Sequence, residues 1–124
     1  MTEPRTVTLT TIDHGSVTLA EPAWCAGHAG HLPGYRVDLS HTGARRSFAF
    51  GAATLMVAML TQDPCATDPG RRGTALHVEL PWYADTLDSG GVRQLAATLT
   101  VHAMYLRQLA DELGALEAAE EEAQ

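Results

Sequence analysis

The last third of the chain constrains its fold more than any other part. From position 92 to position 116, apolar residues and one histidine recur at alternating steps of three and four, and Asp88 or Ser89 precedes them as a helix cap. This spacing predicts one long C-terminal helix. Its seam consists of Val92, Leu95, Leu99, His102, Leu106, Leu109, Leu113 and Leu116.

Two arrangements of this helix stay open. Ala96, Ala103 and Ala110 widen the seam toward the stripe of a helix that packs on a sheet, whereas a strict seam is typical of a coiled coil. We expect roughly the first half to lie on the sheet and the part beyond Leu113 to project toward a partner. The commonest partner of such a surface is a two-fold copy of the same chain. The sequence therefore predicts a homodimer or another protein partner, contacted through Leu99, His102, Leu106, Leu109 and Leu113.

Most of the net negative charge lies in the last third of the chain. The net charge is −7, and residues 84–124 hold eight acidic residues against two arginines, while the rest of the chain is nearly balanced. Negative charge at a helix C-terminus opposes the helix dipole, so residues 114–124 are expected to form an acidic, fraying helical tail. The arginine pairs at 45–46 and 71–72 are too few for the phosphate contacts of a nucleic-acid-binding protein.

Short alternating segments before the helix predict strands. Thr6 to Ile12 and Ser16 to Ala20 flank a turn that contains Gly15, and they form a hairpin. Two-residue alternation gives this hairpin an apolar face of Val7, Leu9, Val17 and Leu19.

The middle of the chain predicts four further segments and a loop. Residues 35–41 alternate as a strand, with residues 47–50 as its partner and Phe48 and Phe50 inward. Residues 52–61, rich in alanine, leucine and methionine, favour a short helix, and the prolines and glycines of residues 63–73 predict a loop. Residues 74–82 predict a last strand. In the strand at 35–41 the inward side chains are Tyr35, Val37, Leu39 and His41. In the strand at 74–82 they are Leu76, Val78, Leu80 and Trp82.

These elements predict an α+β fold, in which an antiparallel sheet of about five strands packs against the long C-terminal helix. With 124 residues, 45% of them apolar, the chain can bury a core of its own, so residues 1–113 are expected to form a single domain. The sequence has no apolar run of about 18 residues and no signal-peptide pattern at its start. We therefore expect a cytoplasmic protein that does not bind a membrane.

One short segment carries donor atoms suited to a metal. Cys25 and His28 are three residues apart, and Gly27 and Gly30 permit the tight knuckle in which both side chains would converge. His41 is the best third donor, because it ends a strand that begins just after the knuckle and strand alternation points it toward the core. Thiolate and imidazole are ligands that suit zinc. The fourth position falls to His31, Cys65 or water. The alternative is a buried cysteine beside surface histidines, with no metal at all.

The sequence offers little support for catalysis. It has no phosphate-binding glycine loop and no dinucleotide fingerprint, and no third group is evident that would orient a nucleophile pair of Cys25 and His28. Trp82 and Tyr83 at a strand end could border a ligand pocket, although anchoring in the core explains them equally well.

Several short segments resemble a family of small domains of unknown function from high-GC actinobacteria. The resemblance is carried by Pro22 to Cys25, His28, Asp38 to His41 and Leu106 to Leu113, that is, by a knuckle with tryptophan, cysteine and histidine, a strand with aspartate and histidine, and a C-terminal helix of alanine and leucine. It implies no activity. Because it pairs Asp38 with His41, it implies that these two residues matter together, against strand alternation, which would turn them apart.

The sequence thus favours a non-catalytic accessory or regulatory module that dimerises or docks through its C-terminal helix, with zinc as its only expected cofactor. One alternative is a small metal-dependent or cysteine-dependent enzyme that uses the same knuckle. Another is a small-ligand-binding domain near Trp82 and Tyr83. The number of protein ligands separates the first two, because a closed four-ligand site is structural and an open one is catalytic.

Overall fold

The structure, a computed structural model, describes residues 5–122. Residues 1–4 of the predicted domain and the last two residues of the predicted tail therefore lie outside it. The described residues form six strands, one α-helix and two single turns of 3-10 helix. This confirms the α+β class, with antiparallel strands and one long C-terminal helix. None of the described helices is long and apolar enough to cross a membrane.

The described chain divides into two compact units. The first holds residues 5–44 together with Met59–His77, and the second holds Arg45–Ala58 together with residues 78–122. The first unit thus contains the hairpin and the segment with the cysteine and histidine donors. The second contains the long helix.

The first unit begins with the predicted hairpin. Strand β1 (Arg5–Thr10) pairs antiparallel with β2 (Ser16–Glu21), and Gly15 adopts a φ of 60° in the turn between them. The predicted apolar face is confirmed: Leu9 is buried, and the other three members, Val7, Val17 and Leu19, are half-buried.

Residues 35–41 do not form the predicted strand. Arg36–Asp38 is a turn of 3-10 helix, and two N–H groups here bond to carbonyls three residues earlier. Because these groups are bonded locally, they cannot pair with a neighbouring strand. The four side chains predicted to share a face are divided, since Tyr35 and Val37 are exposed while Leu39 and His41 are buried.

The carboxylate of Asp13 connects this turn to the hairpin. Its Oδ1 accepts a hydrogen bond of 2.9 Å from the backbone N–H of Arg36. That bond favours the charged carboxylate and lowers the pKa of Asp13 from its usual value. A second link joins the N–H of Ile12 to the carbonyl of Gly34 at 2.8 Å. The turn of the hairpin and the chain that leads to the histidine at position 41 are therefore held together.

Strand β5 (Ala53–Gln62) pairs with all three remaining strands, β3 (His41–Thr42), β4 (Arg46–Phe50) and β6 (Ala75–Glu79). In the first unit, β3 pairs antiparallel with the end of β5, and in the second unit β4 pairs antiparallel with its beginning. The inward placement of Phe48 and Phe50 agrees with their burial, but the predicted partner of β4 is wrong, since β4 pairs with β5 and not with residues 35–41.

The predicted short helix over residues 52–61 is wrong, because this segment is the strand β5. Met56, Val57 and Ala58 follow one another and are all buried, so both faces of the strand are covered here. The sequence of a strand covered on both faces is a continuous apolar run, and periodicity alone cannot distinguish such a run from a helix.

The last strand is shorter than predicted, and the inward placement of its end is wrong. Leu76 is half-buried, but Val78, Leu80 and Trp82 expose 43%, 75% and 89% of their surface. Pro81 has no backbone N–H and cannot extend the ladder, so β6 ends before it.

Helix α1 (Ser89–Glu122) begins where the sequence predicts. The carboxylate of Asp88 accepts a hydrogen bond of 2.8 Å from the N–H of Gly91, and its carbonyl accepts one of 2.9 Å from the N–H of Val92. Asp88 is therefore the N-cap: its side chain satisfies one donor that a helix leaves unbonded at its start, and its carbonyl accepts the first bond of the helix.

One stripe of α1 is shielded from solvent. Its spacing averages about 3.6 residues, the period of a straight helix, and not the 3.5 of a coiled-coil seam. Val92 and Leu99 belong to the predicted seam but expose 53% and 50% of their surface. The shielded stripe consists of Gly91, Leu95, Thr98, His102, Leu106, Leu109, Leu113, Leu116 and Glu120.

Strand β4 packs against part of this stripe. The ring of Phe48 meets His102 and Tyr105 edge to face, with ring centroids 5.1 Å and 5.7 Å apart. Arg46 donates two hydrogen bonds, of 3.3 Å and 3.4 Å, to the carboxylate of Glu112. Within the second unit, the helix thus packs on its own sheet.

Truncation of Leu109 to alanine tests this packing. Leu109 is 3% exposed, and removing a buried leucine side chain leaves a cavity, so Leu109→Ala should lower the free energy of unfolding by about 2–5 kcal/mol. The matched control is Met104→Ala on the same helix, which exposes 55% of its surface and should change stability by no more than about 0.5 kcal/mol. Urea denaturation would measure both, and equal losses would contradict the packing described here.

Candidate metal centre

The knuckle that follows β2 is joined to β3 by backbone pairing. Cys25 forms an antiparallel bridge with Gly43, and the N–H of Ala26 donates a hydrogen bond of 3.0 Å to the carbonyl of Thr42. His41 is the first residue of β3. Pairing the knuckle with β3 therefore brings Cys25 beside His41, although the two are far apart in the sequence.

Gly43 permits this pairing because it has no side chain. A Cβ atom here would lie 3.3 Å from the carbonyl oxygen of Trp24 and 3.4 Å from both the ring of Trp24 and the Cβ of Leu60. Any larger residue would push the knuckle away from β3. The glycine thus sets the distance between the strand and the cysteine.

The knuckle is tight enough to bring Cys25 and His28 together. Gly27 adopts a φ of 101°, a conformation that L side chains rarely adopt, and its N–H donates a hydrogen bond of 3.4 Å to the sulfur of Cys25. The Sγ of Cys25 then lies 3.6 Å from the Nε2 of His28. The predicted convergence of these two side chains is what the structure shows.

The Nε2 atom of His28 has three polar neighbours. The Sγ of Cys25 lies at 3.6 Å, the Nδ1 of His41 at 3.3 Å and the Oε1 of Glu21 at 3.6 Å. In neutral imidazole, one ring nitrogen carries either a single proton or a single lone pair. Hydrogen bonding can therefore satisfy only one of these neighbours well, whereas a cation among them would attract all of the donors at once.

His41 is fully buried in this cluster. Burial lowers its pKa below the usual value, and the neighbouring His28 lowers it further, while Glu21 and a contact with the backbone of Ala20 oppose the shift. Its Nε2 makes no hydrogen bond within the described residues, so the Ala20 contact falls outside hydrogen-bond geometry. A neutral, buried imidazole with its Nδ1 turned to other donors is suited to bind a metal.

The donor atoms of Cys25, His28 and His41 all lie within 4.8 Å of one another. In a tetrahedral zinc site, bond lengths of about 2.3 Å to sulfur and about 2.0–2.1 Å to nitrogen place neighbouring ligands about 3.6 Å (S to N) and about 3.3 Å (N to N) apart. The Cys25–His28 and His28–His41 distances are 3.6 Å and 3.3 Å. The three side chains are therefore close enough to bind one metal ion.

Glu21 is a neighbour of this cluster that the sequence analysis missed: its carboxylate contacts the Nε2 of His28, although it lies outside the group whose donor atoms are all within 4.8 Å of one another. It follows Val17 and Leu19 at steps of two on β2, so strand alternation places it on the same shielded face. A carboxylate at the end of an apolar face is the signal that could have revealed it. Its side chain is only 14% exposed.

The other predicted donors lie elsewhere. His31 Nε2 is 3.0 Å from the carbonyl oxygen of Thr10, and neither His31 nor Cys65 belongs to the group that converges. Asp38, which the family resemblance pairs with His41, is exposed and borders a pocket of about 400 Å³ that His28 and His31 also line. The structure thus brings together three of the four predicted metal ligands.

The remaining predicted site residues belong to the second unit. Trp82 is 89% exposed, and Tyr83 is half-buried with its ring 6.3 Å from that of Phe50. Of the predicted interface residues, Leu109 is buried and Leu99 is half exposed. His102, Leu106 and Leu113 are half-buried.

Comparison with known proteins places the chain in one family. A family model with the description "Domain of unknown function (DUF6907)" matches residues 6–115, and the chain belongs to this family. No curated protein and no solved structure matches it.

Adding one methyl group at Gly43 tests whether the close approach of the knuckle builds the cluster. Gly43→Ala should lower the free energy of unfolding by about 1–3 kcal/mol, because the backbone of Trp24 cannot move without breaking the bridge to Cys25. The control is Gly34→Ala, where the added atom meets nothing within 4 Å. Thermal unfolding would compare them. If Gly43→Ala were no less stable than Gly34→Ala, the close approach would not be required.

Proposed function

We propose that the chain is a non-catalytic interaction module in which Cys25, His28 and His41 hold a structural zinc ion. The observation that carries this proposal is the Nε2 of His28, which faces a sulfur, a nitrogen and a carboxylate oxygen at 3.3–3.6 Å. One proton cannot satisfy three such neighbours, and a cation can.

The donor set favours zinc among the divalent metals. A thiolate with two imidazoles is borderline soft, which suits zinc better than magnesium or calcium, whose ligands are oxygens. Cys25 must be deprotonated and both imidazoles neutral to bind it, and the lowered pKa of His41 supports this condition. A thiolate ligand also needs a reducing compartment, so a cytoplasmic location belongs to the proposal.

The ion would act as a cross-link. It would join the knuckle, which carries Cys25 and His28, to β3, which carries His41, and the free energy of metal binding would add to the free energy of folding. The described pocket beside His28 keeps the enzyme alternative relevant, because a metal with only three protein ligands binds and activates water.

The second part of the proposal is self-association through α1. Because His102 and Leu109 pack within their own unit, the contact would fall on the flank of the helix, where Val92 and Leu99 expose about half of their surface. These two side chains lie seven residues apart on one side of the helix, which suits an antiparallel or parallel copy of the same helix. We propose a homodimer formed through this flank.

Metal content is the direct test of the zinc site. Purified protein should contain one zinc ion per chain, and chelation should lower its melting temperature, because metal binding and folding are coupled. Cys25→Ser should abolish stoichiometric zinc. The control is Cys65→Ser, which alters the second free cysteine, lies outside the cluster and should keep the metal. Protein that holds no metal after incubation with zinc, and melts unchanged with chelator, would contradict the proposal.

Sedimentation tests the dimer. Wild-type protein should sediment as a dimer at tens of micromolar, and Leu99→Asp should yield a folded monomer, because an unpaired carboxylate cannot be buried in an apolar contact. Gln108→Asp would serve as the charge control on the opposite side of the helix from Leu99, and it should not reduce association. A wild-type monomer at this concentration would show that the exposed flank has no copy of the chain as its partner.

A further inference from the structure

The geometry points to Glu21 as the fourth protein ligand, which closes the site around the metal. This inference rests on the proposed zinc site and specifies its coordination. Glu21 Oε1 lies 3.6 Å from the Nε2 of His28, the same atom that faces Cys25 and His41. The carboxylate oxygens of Glu21 do not lie within 4.8 Å of all three other donor atoms, so its side chain has to turn toward them when a metal binds.

The position of Glu21 on its strand places the carboxylate at the cluster. It is the last residue of β2, on the shielded face with Val17 and Leu19, and the chain then enters the knuckle. A carboxylate on an apolar strand face is costly to bury without a partner of opposite charge. At this position, the carboxylate faces the imidazole of His28, which has to be neutral to bind a metal, so a bound cation would supply the positive charge.

Arg5 could have neutralised this carboxylate but does not. It is the cross-strand neighbour of Glu21, and its guanidinium instead donates hydrogen bonds to the carbonyls of Pro22 and Ala23, at 3.1 Å and 3.4 Å. The arginine thus binds the backbone at the entrance to the knuckle. The negative charge of Glu21 is left to face the donors.

The position of Glu21 beside the Nε2 of His28 distinguishes two roles for its carboxylate. It could bind the metal directly, or it could support a metal-bound histidine from outside the coordination sphere. A metal-bound Nε2 has used its lone pair and carries no proton, so it cannot donate a hydrogen bond to Glu21. An outer carboxylate would bond to the other ring nitrogen, as in a carboxylate–histidine–metal arrangement. Because Glu21 lies beside Nε2, a turn of its side chain would bring the carboxylate to a metal bound there, whereas it is not placed to support the ring.

Coordination by Glu21 has a chemical consequence. One sulfur, two nitrogens and one oxygen complete a tetrahedral zinc site, and a complete site has no position for a water that could be activated. With Glu21 as the fourth ligand, the metal would therefore have a structural role. It also balances charge, since the thiolate and the carboxylate together neutralise the divalent ion.

Cobalt substitution tests the ligand count. Cobalt(II) would replace zinc in wild-type protein and in Glu21→Gln, which keeps the side-chain volume but removes the anionic ligand, and the absorption spectra would be recorded with and without azide. Wild-type protein should show the intense visible bands of a four-coordinate site, and azide should not change them. Glu21→Gln should still bind cobalt through Cys25, but its spectrum should shift when azide enters the open position.

Affinity provides a second measurement. Zinc affinity should fall at least about tenfold in Glu21→Gln, since even an outer partner of a ligand contributes that much. Acetate should partly restore the four-coordinate spectrum in Glu21→Ala, because it supplies the missing carboxylate. Asp38→Ala is the matched control, since it removes an exposed acid from the turn next to the site and should leave affinity and spectrum unchanged.

The outcomes separate the two proposals. If wild-type cobalt protein binds azide as readily as Glu21→Gln, the site is open and Glu21 is not a ligand, while the zinc proposal stands. An unchanged affinity in Glu21→Gln would overturn the inference in the same way. If neither wild-type protein nor Asp38→Ala takes up cobalt or zinc, the metal site itself is wrong, and the role of Glu21 fails with it.

Discussion

The antiparallel bridge between Cys25 and Gly43 is the contact on which the candidate centre depends. It is a backbone contact, so it is set by the absence of a side chain at Gly43 and not by the chemistry of the donors. Once it forms, a sulfur from the knuckle and an imidazole from β3 are neighbours. The hairpin supplies Glu21 from a third direction, because β2 leads directly into the knuckle. Secondary structure thus assembles a group of donors that no single segment of the sequence contains.

The sequence predicted the elements with a strict period and missed those set by tertiary contacts. The hairpin and α1 have clear two-residue and three-to-four-residue periods, and both were found with nearly correct ends. Strand β5 was predicted as a helix because its neighbours cover both faces and remove the alternation. The strand over residues 35–41 was predicted from alternation, but the hydrogen bond from the N–H of Arg36 to Asp13 favours a local turn. The sequence does not show that Asp13 lies beside Arg36, because the two belong to separate segments.

The same distinction applies to the site. Cys25 and His28 were predicted because a tight knuckle brings nearby donors together, and His41 because strand alternation pointed it toward the core. Glu21 was missed because the search followed donor types typical of zinc, although its alternation with Val17 and Leu19 was visible. His31 was included on proximity in sequence, yet its ring lies near the backbone of Thr10. Spacing identifies which donors can meet, and the path of the backbone decides which do.

The positions of the donors in the sequence also determine what a bound metal would do to the unfolded chain. A metal held by Cys25 and His41 would close a loop of the size that a disulfide of about 15 residues closes, for which the loss of unfolded-state entropy contributes about 3 kcal/mol. Unlike a disulfide, this closure would be reversible without a redox partner, because it would depend on the free metal concentration. The glycine-rich segment inside the loop, with Gly27 and Gly30 at positive φ, is the part of the chain that loses most conformational freedom when the loop closes. The order of that segment would then follow the supply of metal, while the hairpin beside it keeps its own ladder of hydrogen bonds.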